Sequence, residues 1–201
     1  MDERERLILR YIKGKAVLDL GVGDISYRFF HKFVHDNAKK ALGIELNPER
    51  TKKLIKLGYL IKVGNAENFV LNDKFDVVTA GDLIEHLNNP GNFLETVKKH
   101  LGKNGIFILN TPNAYSINFV LRGLFKGGNV PQFKEHTFLF TENLLRELLK
   151  RYNFKIDFVR YFSHQNKDWK SKVIRFFSFF AEKWNENILI IARVSENEKI
   201  K

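Results

Sequence analysis

Two glycines at alternate positions, Gly21 and Gly23, follow the run AVLDL, which carries one acid, Asp19. Glycine has no Cβ, so a turn of this kind at a strand end lets a ligand approach the backbone closely. The expected ligand is a nucleotide-containing cofactor. A second acid, Glu45, closes the run ALGIE, where a carboxylate suits the paired hydroxyls of a ribose. Asn65 and Ala66 lie in GNAEN, where Asn65 offers an amide oxygen and also fits an ordinary turn. Asp82, Glu85 and His86 in GDLIEHLNNP would share one face if that segment is helical. Two acids and a histidine so spaced suit a weak divalent site or a hydrogen-bonded cap that fixes the loop. The cap is the expectation, and no metal is assigned. His136, in EHTFLFT, has a side chain that titrates near neutrality; it fits a general base and a structural residue equally.

These residues need elements to hold them. Residues 2–13 place Leu7, Ile8, Tyr11 and Ile12 on one side of a short helix, which Gly14 ends. A buried strand over Ala16–Leu20 leads through the glycine turn to a helix, and residues 41–45 form the second strand. Asn47-Pro48-Glu49 starts a helix with proline at its first position, and Gly58 stops it. Strands follow over 59–63 and 74–80. An amphipathic helix over 92–101 comes next, then a glycine-bracketed turn at Gly102 and Gly105, and a strand over 106–110. Strict alternation of strand and helix implies a parallel sheet covered on both sides. Beyond Asn113 the pattern loosens into an aromatic stretch at about 114–140. A helix opened by Thr141 follows, then a strand over Phe154–Phe162, a second insertion at about 163–186 and a last strand over 188–194.

A chain of 201 residues, 44% hydrophobic and 28% charged, fits one folded domain. It has no cysteine, which excludes a disulfide framework, a thiolate nucleophile and a cysteine metal site. No apolar run is long enough to cross a bilayer, and MDERERLILR carries no secretory pattern, so a cytoplasmic location is expected. The net charge of +11 is spread along the chain without a basic block, which points to a solvated surface ahead of a dedicated polyanion partner.

Taken in order, AVLDLGVGD, ALGIELNPE, GNAEN, FDVVTAGDLIEHLNNP and GIFILNTPN resemble class I S-adenosylmethionine-dependent methyltransferases, and most of all the ubiquinone-biosynthesis type O-methyltransferases. A dinucleotide fingerprint wants a third glycine where Ser26 stands. The methyltransferase pattern has it where Ile25 stands. The downstream motifs favour the methyltransferase. The resemblance implies a Rossmann-like, doubly wound α/β fold with seven strands, the last inserted antiparallel. It implies S-adenosylmethionine as cofactor, which carries no phosphate, and no lysine or arginine lies between Asp19 and Tyr27. It further implies cofactor contacts from Asp19, Gly21 and Gly23 at the turn, Glu45 to the ribose, Asn65 and Ala66 to the adenine, and Asp82 with Leu83 at the methionine portion. His136 falls near the acceptor and is the candidate catalytic residue.

The acceptor is read by the insertions. Tyr115, Phe119, Phe125, Phe133 and Phe138 suit an apolar lid for an aromatic or prenylated acceptor, and the leading expectation is methyl transfer to a small or lipid-like acceptor at oxygen. Trp169, Val173, Phe176, Phe177, Phe180 and Trp184 share a helical face that packs on the domain, on a second subunit or on a membrane surface, so 169–184 is the candidate homodimer or peripheral membrane contact. Nucleic acid is not the expected partner. RNA or protein methylation and a non-catalytic cofactor-binding scaffold stand as alternatives.

Overall fold

The computed structural model describes residues 1, 3–23, 30–117, 119–120, 136–163 and 182–195. The readings at Ile25, Ser26, Phe125 and Phe133, and most of the 169–184 stripe, lie outside the described residues.

Helix α1 (Glu3–Ile12) precedes β1 (Ala16–Leu20), and α2 (Phe30–Asn37) leads to β2 (Lys40–Glu45). Next come α3 (Pro48–Lys56), β3 (Ile61–Val63), β4 (Phe75–Gly81), a 3₁₀ turn (Ile84–His86) and α4 (Pro90–His100). The chain continues through β5 (Leu101–Pro112), α5 (Glu142–Arg151), β6 (Phe154–Phe162) and β7 (Asn187–Val194). The strands form one seven-stranded sheet in the order β3-β2-β1-β4-β5-β7-β6. Every pairing from β3 to β5 is parallel, and β7 runs antiparallel to both β5 and β6. The doubly wound fold and the antiparallel last strand agree with expectation. The fifth strand begins earlier than its apolar pattern suggests, because residues after Leu101 stay in the ladder across a register shift between Phe75 and Val77.

Local chemistry accounts for the helix starts. Asn47, Asn89 and Thr141 each accept from the backbone N–H three residues on, capping α3, α4 and α5. Two apolar layers hold the sheet. One face packs Phe93, Leu94 and Val97 of α4 and Leu145 and Leu149 of α5 against Val78, Phe107 and Ile190. The other packs Ile8 and Ile12 of α1 and Val34 of α2 against Val17, Ile108 and Leu189. The order reverses between β1 and β4, and at such a switch point the carboxyl ends of the strands open a crevice for ligands.

Candidate active site at the carboxyl ends of β1, β2 and β4

The turn after β1 has the left-handed backbone its glycines permit, with φ of 70° at Gly21 and 75° at Gly23. A Cβ at Gly21 would lie 2.7 Å from Leu83 Cδ1, so Leu83 packs directly on the turn. Gly23 N–H donates to Glu45 Oε2 at 3.0 Å. Glu45 Oε1 accepts from Asn47 N at 2.9 Å and from Arg50 Nη1 at 3.1 Å. This carboxylate, 4% exposed, therefore ties the glycine turn to the start of α3 and keeps acceptor capacity on Oε2.

Asp19 supports the turn from within the fold. It is buried beneath the turn, where Oδ1 accepts from Thr79 Oγ1 at 2.6 Å and Oδ2 bonds His31 Nδ1 at 2.9 Å. Its visible work is to pin β1 to β4 and to α2. His31 is fully enclosed by this arrangement. Asn65 Oδ1 accepts from Glu67 N–H at 2.9 Å, an Asx turn that leaves one lone pair of that oxygen. Ala66 packs into the apolar layer beside it.

Asp82 adopts φ of 51°, uncommon for a residue with a side chain and tolerated best by Asp and Asn. Its Oδ1 accepts from Asn110 Nδ2 at 2.6 Å, and its Oδ2 lies 4.0 Å from Arg4 Nη1. Because the backbone turns at Asp82 and only residues 84–86 are helical, Asp82 does not join Glu85 and His86 on one face. Those two are joined instead by His136. The ligand atoms of Glu85, His86 and His136 lie within 4.8 Å of one another, and the two imidazoles meet edge to face at 4.7 Å. The segment carrying His136 is pinned there because Glu85 C=O accepts from Thr137 and Phe138 N–H at 2.8 and 3.1 Å.

Glu85 is 1% exposed. Thr111 Oγ1 donates to its Oε2 at 2.9 Å, and Oε1 has no hydrogen-bond partner among the described residues. Burial, and then the neighbouring charge of Asp82, pushes its carboxyl up to about 8. It is thus largely protonated at neutral pH. The three donors suit either proton transfer or a divalent cation, since carboxylate and imidazole serve both.

Three contributors escaped sequence reasoning. Asn110 and Thr111, at the end of β5 in ILNTPN, orient Asp82 and Glu85, and Asn110 Oδ1 is buried without a partner among the described residues. Polar residues closing an otherwise apolar strand were the available signal. Arg4, in α1, is 6% exposed and stands over the rings of Phe30 and Phe162. Arg4 lies four and eight residues before the buried Ile8 and Ile12, so the helical period that places those two on the inner face was the available signal.

Comparison with known proteins agrees with this fold. A family description, "Methyltransferase domain", matches residues 1–158. No curated protein matches the chain in sequence. Among solved structures it is similar to an S-adenosylmethionine-dependent methyltransferase from Archaeoglobus fulgidus, at 19% identity and a TM-score of 0.68, covering 94% of this chain and 90% of that one. A second, from Mesorhizobium loti, has 17% identity and a TM-score of 0.67 over 94% and 95% of the two chains. A third comes from the complex between the Haloferax volcanii Trm112 methyltransferase activator and a methyltransferase, at 14% identity and a TM-score of 0.72 over 96% and 89%.

Proposed function

From the premise that the chain belongs to the methyltransferase domain family and is an S-adenosylmethionine-dependent methyltransferase, we propose that it methylates a hydroxyl oxygen of a small or lipid-like acceptor held at Glu85, His86 and His136. The observation that carries the acceptor reading is that cluster, a buried carboxyl and two imidazoles, with the charge of Asp82 near enough to act on Glu85.

The residues fit the cofactor. Its sulfonium and ammonium are cationic, and the crevice offers acceptors: Asp82, the spare capacity of Glu45 and the buried Asn110 Oδ1, which has no partner among the described residues. When bound, S-adenosylmethionine supplies an electrophilic methyl group. Glu45 accepts from the ribose hydroxyls, with Arg50, on the surface, free to swing aside. Asn65 and Ala66 face the adenine, and Asp82, with Leu83 packed on the turn, the methionine end. Asp19 acts through the turn that it braces. Alignment of the acceptor contributes most, since orientation alone is worth roughly 7–11 kcal/mol. His136 accepts the hydroxyl proton, a contribution of about 10²–10⁴-fold. Glu85, protonated at neutral pH, donates a hydrogen bond from within the cluster. The insertions at about 114–140 and 163–186 belong to the same domain and select the acceptor. A divalent cation on Glu85, His86 and His136 is the second reading, favoured by the donor spacing.

The test is a screen of phenols, aliphatic alcohols, amines, RNA and protein with methyl-labelled cofactor. Label in a phenol or alcohol is expected. With that acceptor, His136→Ala lowers kcat by about 10²-fold or more at unchanged cofactor affinity, and Glu45→Ala weakens cofactor binding by about tenfold or more. Label only in an amine, RNA or protein, or unchanged kcat in His136→Ala, overturns this reading of the acceptor or of His136.

A further inference from the structure

Between α1 and the edge strand β6 lies a cleft of about 260 Å³. Its floor is apolar. Phe158 and Phe162 project from β6 on one face of the sheet, and Leu7 of α1 and Leu189 of β7 complete it. Its polar lining is cationic: Arg4, Arg6 and Arg10 of α1 and Arg160 of β6 are joined by a single acid, Glu3. Arg160 is already engaged, donating to Glu3 at 3.0 and 3.2 Å and lying 3.0 Å from Glu182. Arg6 and Arg10, one helical turn apart and exposed, have no acidic partner among the described residues. At the inner end Arg4 is 6% exposed, and its Nε is buried without a hydrogen-bond partner among the described residues. An enclosed guanidinium nitrogen with no acceptor is costly, and an anion entering the cleft would relieve that cost.

We propose that this cleft binds a small organic carboxylate with an apolar body, its carboxylate on the α1 arginines and its chain on Leu7, Phe158, Phe162 and Leu189. A guanidinium fork matches a carboxylate bidentately. The apolar floor gives an inorganic anion nothing to bury, and a cleft of about 260 Å³ is too small for a two-chain lipid. The site is distinct from the Glu85 cluster, but it touches the crevice through Arg4, whose Nη1 lies 4.0 Å from Asp82. An anion on Arg4 competes with Asp82, so occupancy of the cleft and events at Asp82 are coupled, each affecting the other by the same factor.

Calorimetry with octanoate, without cofactor or acceptor, tests this independently of methyl transfer. Saturable binding of one octanoate per chain is expected. It should weaken at least tenfold in Arg6→Gln/Arg10→Gln, two exposed positions, and in Phe158→Ser, which alters only the floor. 1-Octanol and inorganic phosphate, each carrying half the chemistry, should bind at least tenfold more weakly than octanoate. Non-saturating heats, equal affinity in both variants, or equal binding of 1-octanol overturns the proposal. So does flotation with phosphatidylglycerol vesicles that depends on Arg6 and Arg10 while octanoate does not bind, which would assign the face to a lipid surface.

Discussion

Glu85 has one oxygen bonded to Thr111 and the other enclosed without a partner among the described residues, which makes its proton the cheapest way to satisfy the site. The unfolded chain releases that proton near 4.5, and the folded one near 8. A carboxyl raised by folding contributes stability that is complete below the unfolded value and is lost as pH rises through the folded one. Between pH 5 and 9, in the presence of chelator, the wild type should therefore lose on the order of a few kcal/mol. Glu85→Gln, which copies the neutral carboxyl, should lose markedly less. Urea unfolding at the two pH values measures the difference, and parallel losses would show that Glu85 ionises normally. If a divalent cation is the working partner, Glu85→Gln also abolishes a chelator-sensitive turnover. At this scale the sequence was half legible. The motif around Glu85 and His86 stood out, but its third member, His136, lies far along the chain, and only the tertiary fold brings it to the pair. The face shared with Asp82 failed for a local reason, its left-handed backbone.

The glycine turn shows how elements share one task. Asp19 braces it from below through Thr79 and His31, Glu45 holds Gly23 N–H from the side, and Leu83 closes over Gly21. Gly21→Ala meets two penalties, a side chain at φ of 70° and a Cβ 2.7 Å from Leu83. Together they should cost about 1–3 kcal/mol, which lowers Tm by roughly 2–4 °C for each kcal/mol. Because Leu83 adjoins Asp82, the same change should weaken cofactor binding by about tenfold. A variant with unchanged Tm and affinity would mean that the turn yields freely and does not position the crevice. The strands and helices that carry this turn were readable because their periodicities are clean and their caps are Asn and Thr. Glu45 was readable because it ends a buried strand. The bracing by Asp19 was not, because a buried acid in a strand declares neither its partners nor the side it faces.

At the scale of the whole molecule, the charge of +11 raises the question of a polyanion partner. Many surface cations sit beside acids: Lys32 with Asp36, Lys52 with Glu49, Lys98 with Glu95, Arg151 with Glu147 and Arg193 with Asp157. Such pairs add little stability, but they break the positive surface into short stretches. Arg6 and Arg10 are neighbouring cations without an acidic partner among the described residues, and the cleft they face has an apolar floor instead of the open basic track that a phosphate backbone needs. An unstructured 20-nucleotide RNA should therefore bind no more tightly than about 10⁻⁴–10⁻⁶ M at physiological salt, the ordinary non-specific range. The measurement is fluorescence anisotropy across a salt series. Sub-micromolar binding at 150 mM salt, with affinity falling steeply as salt rises, would move the acceptor from a small hydroxyl compound to RNA. The cofactor crevice would keep its residues, because the turn, Glu45 and Asp82 are the groups proposed for the donor whatever the acceptor is.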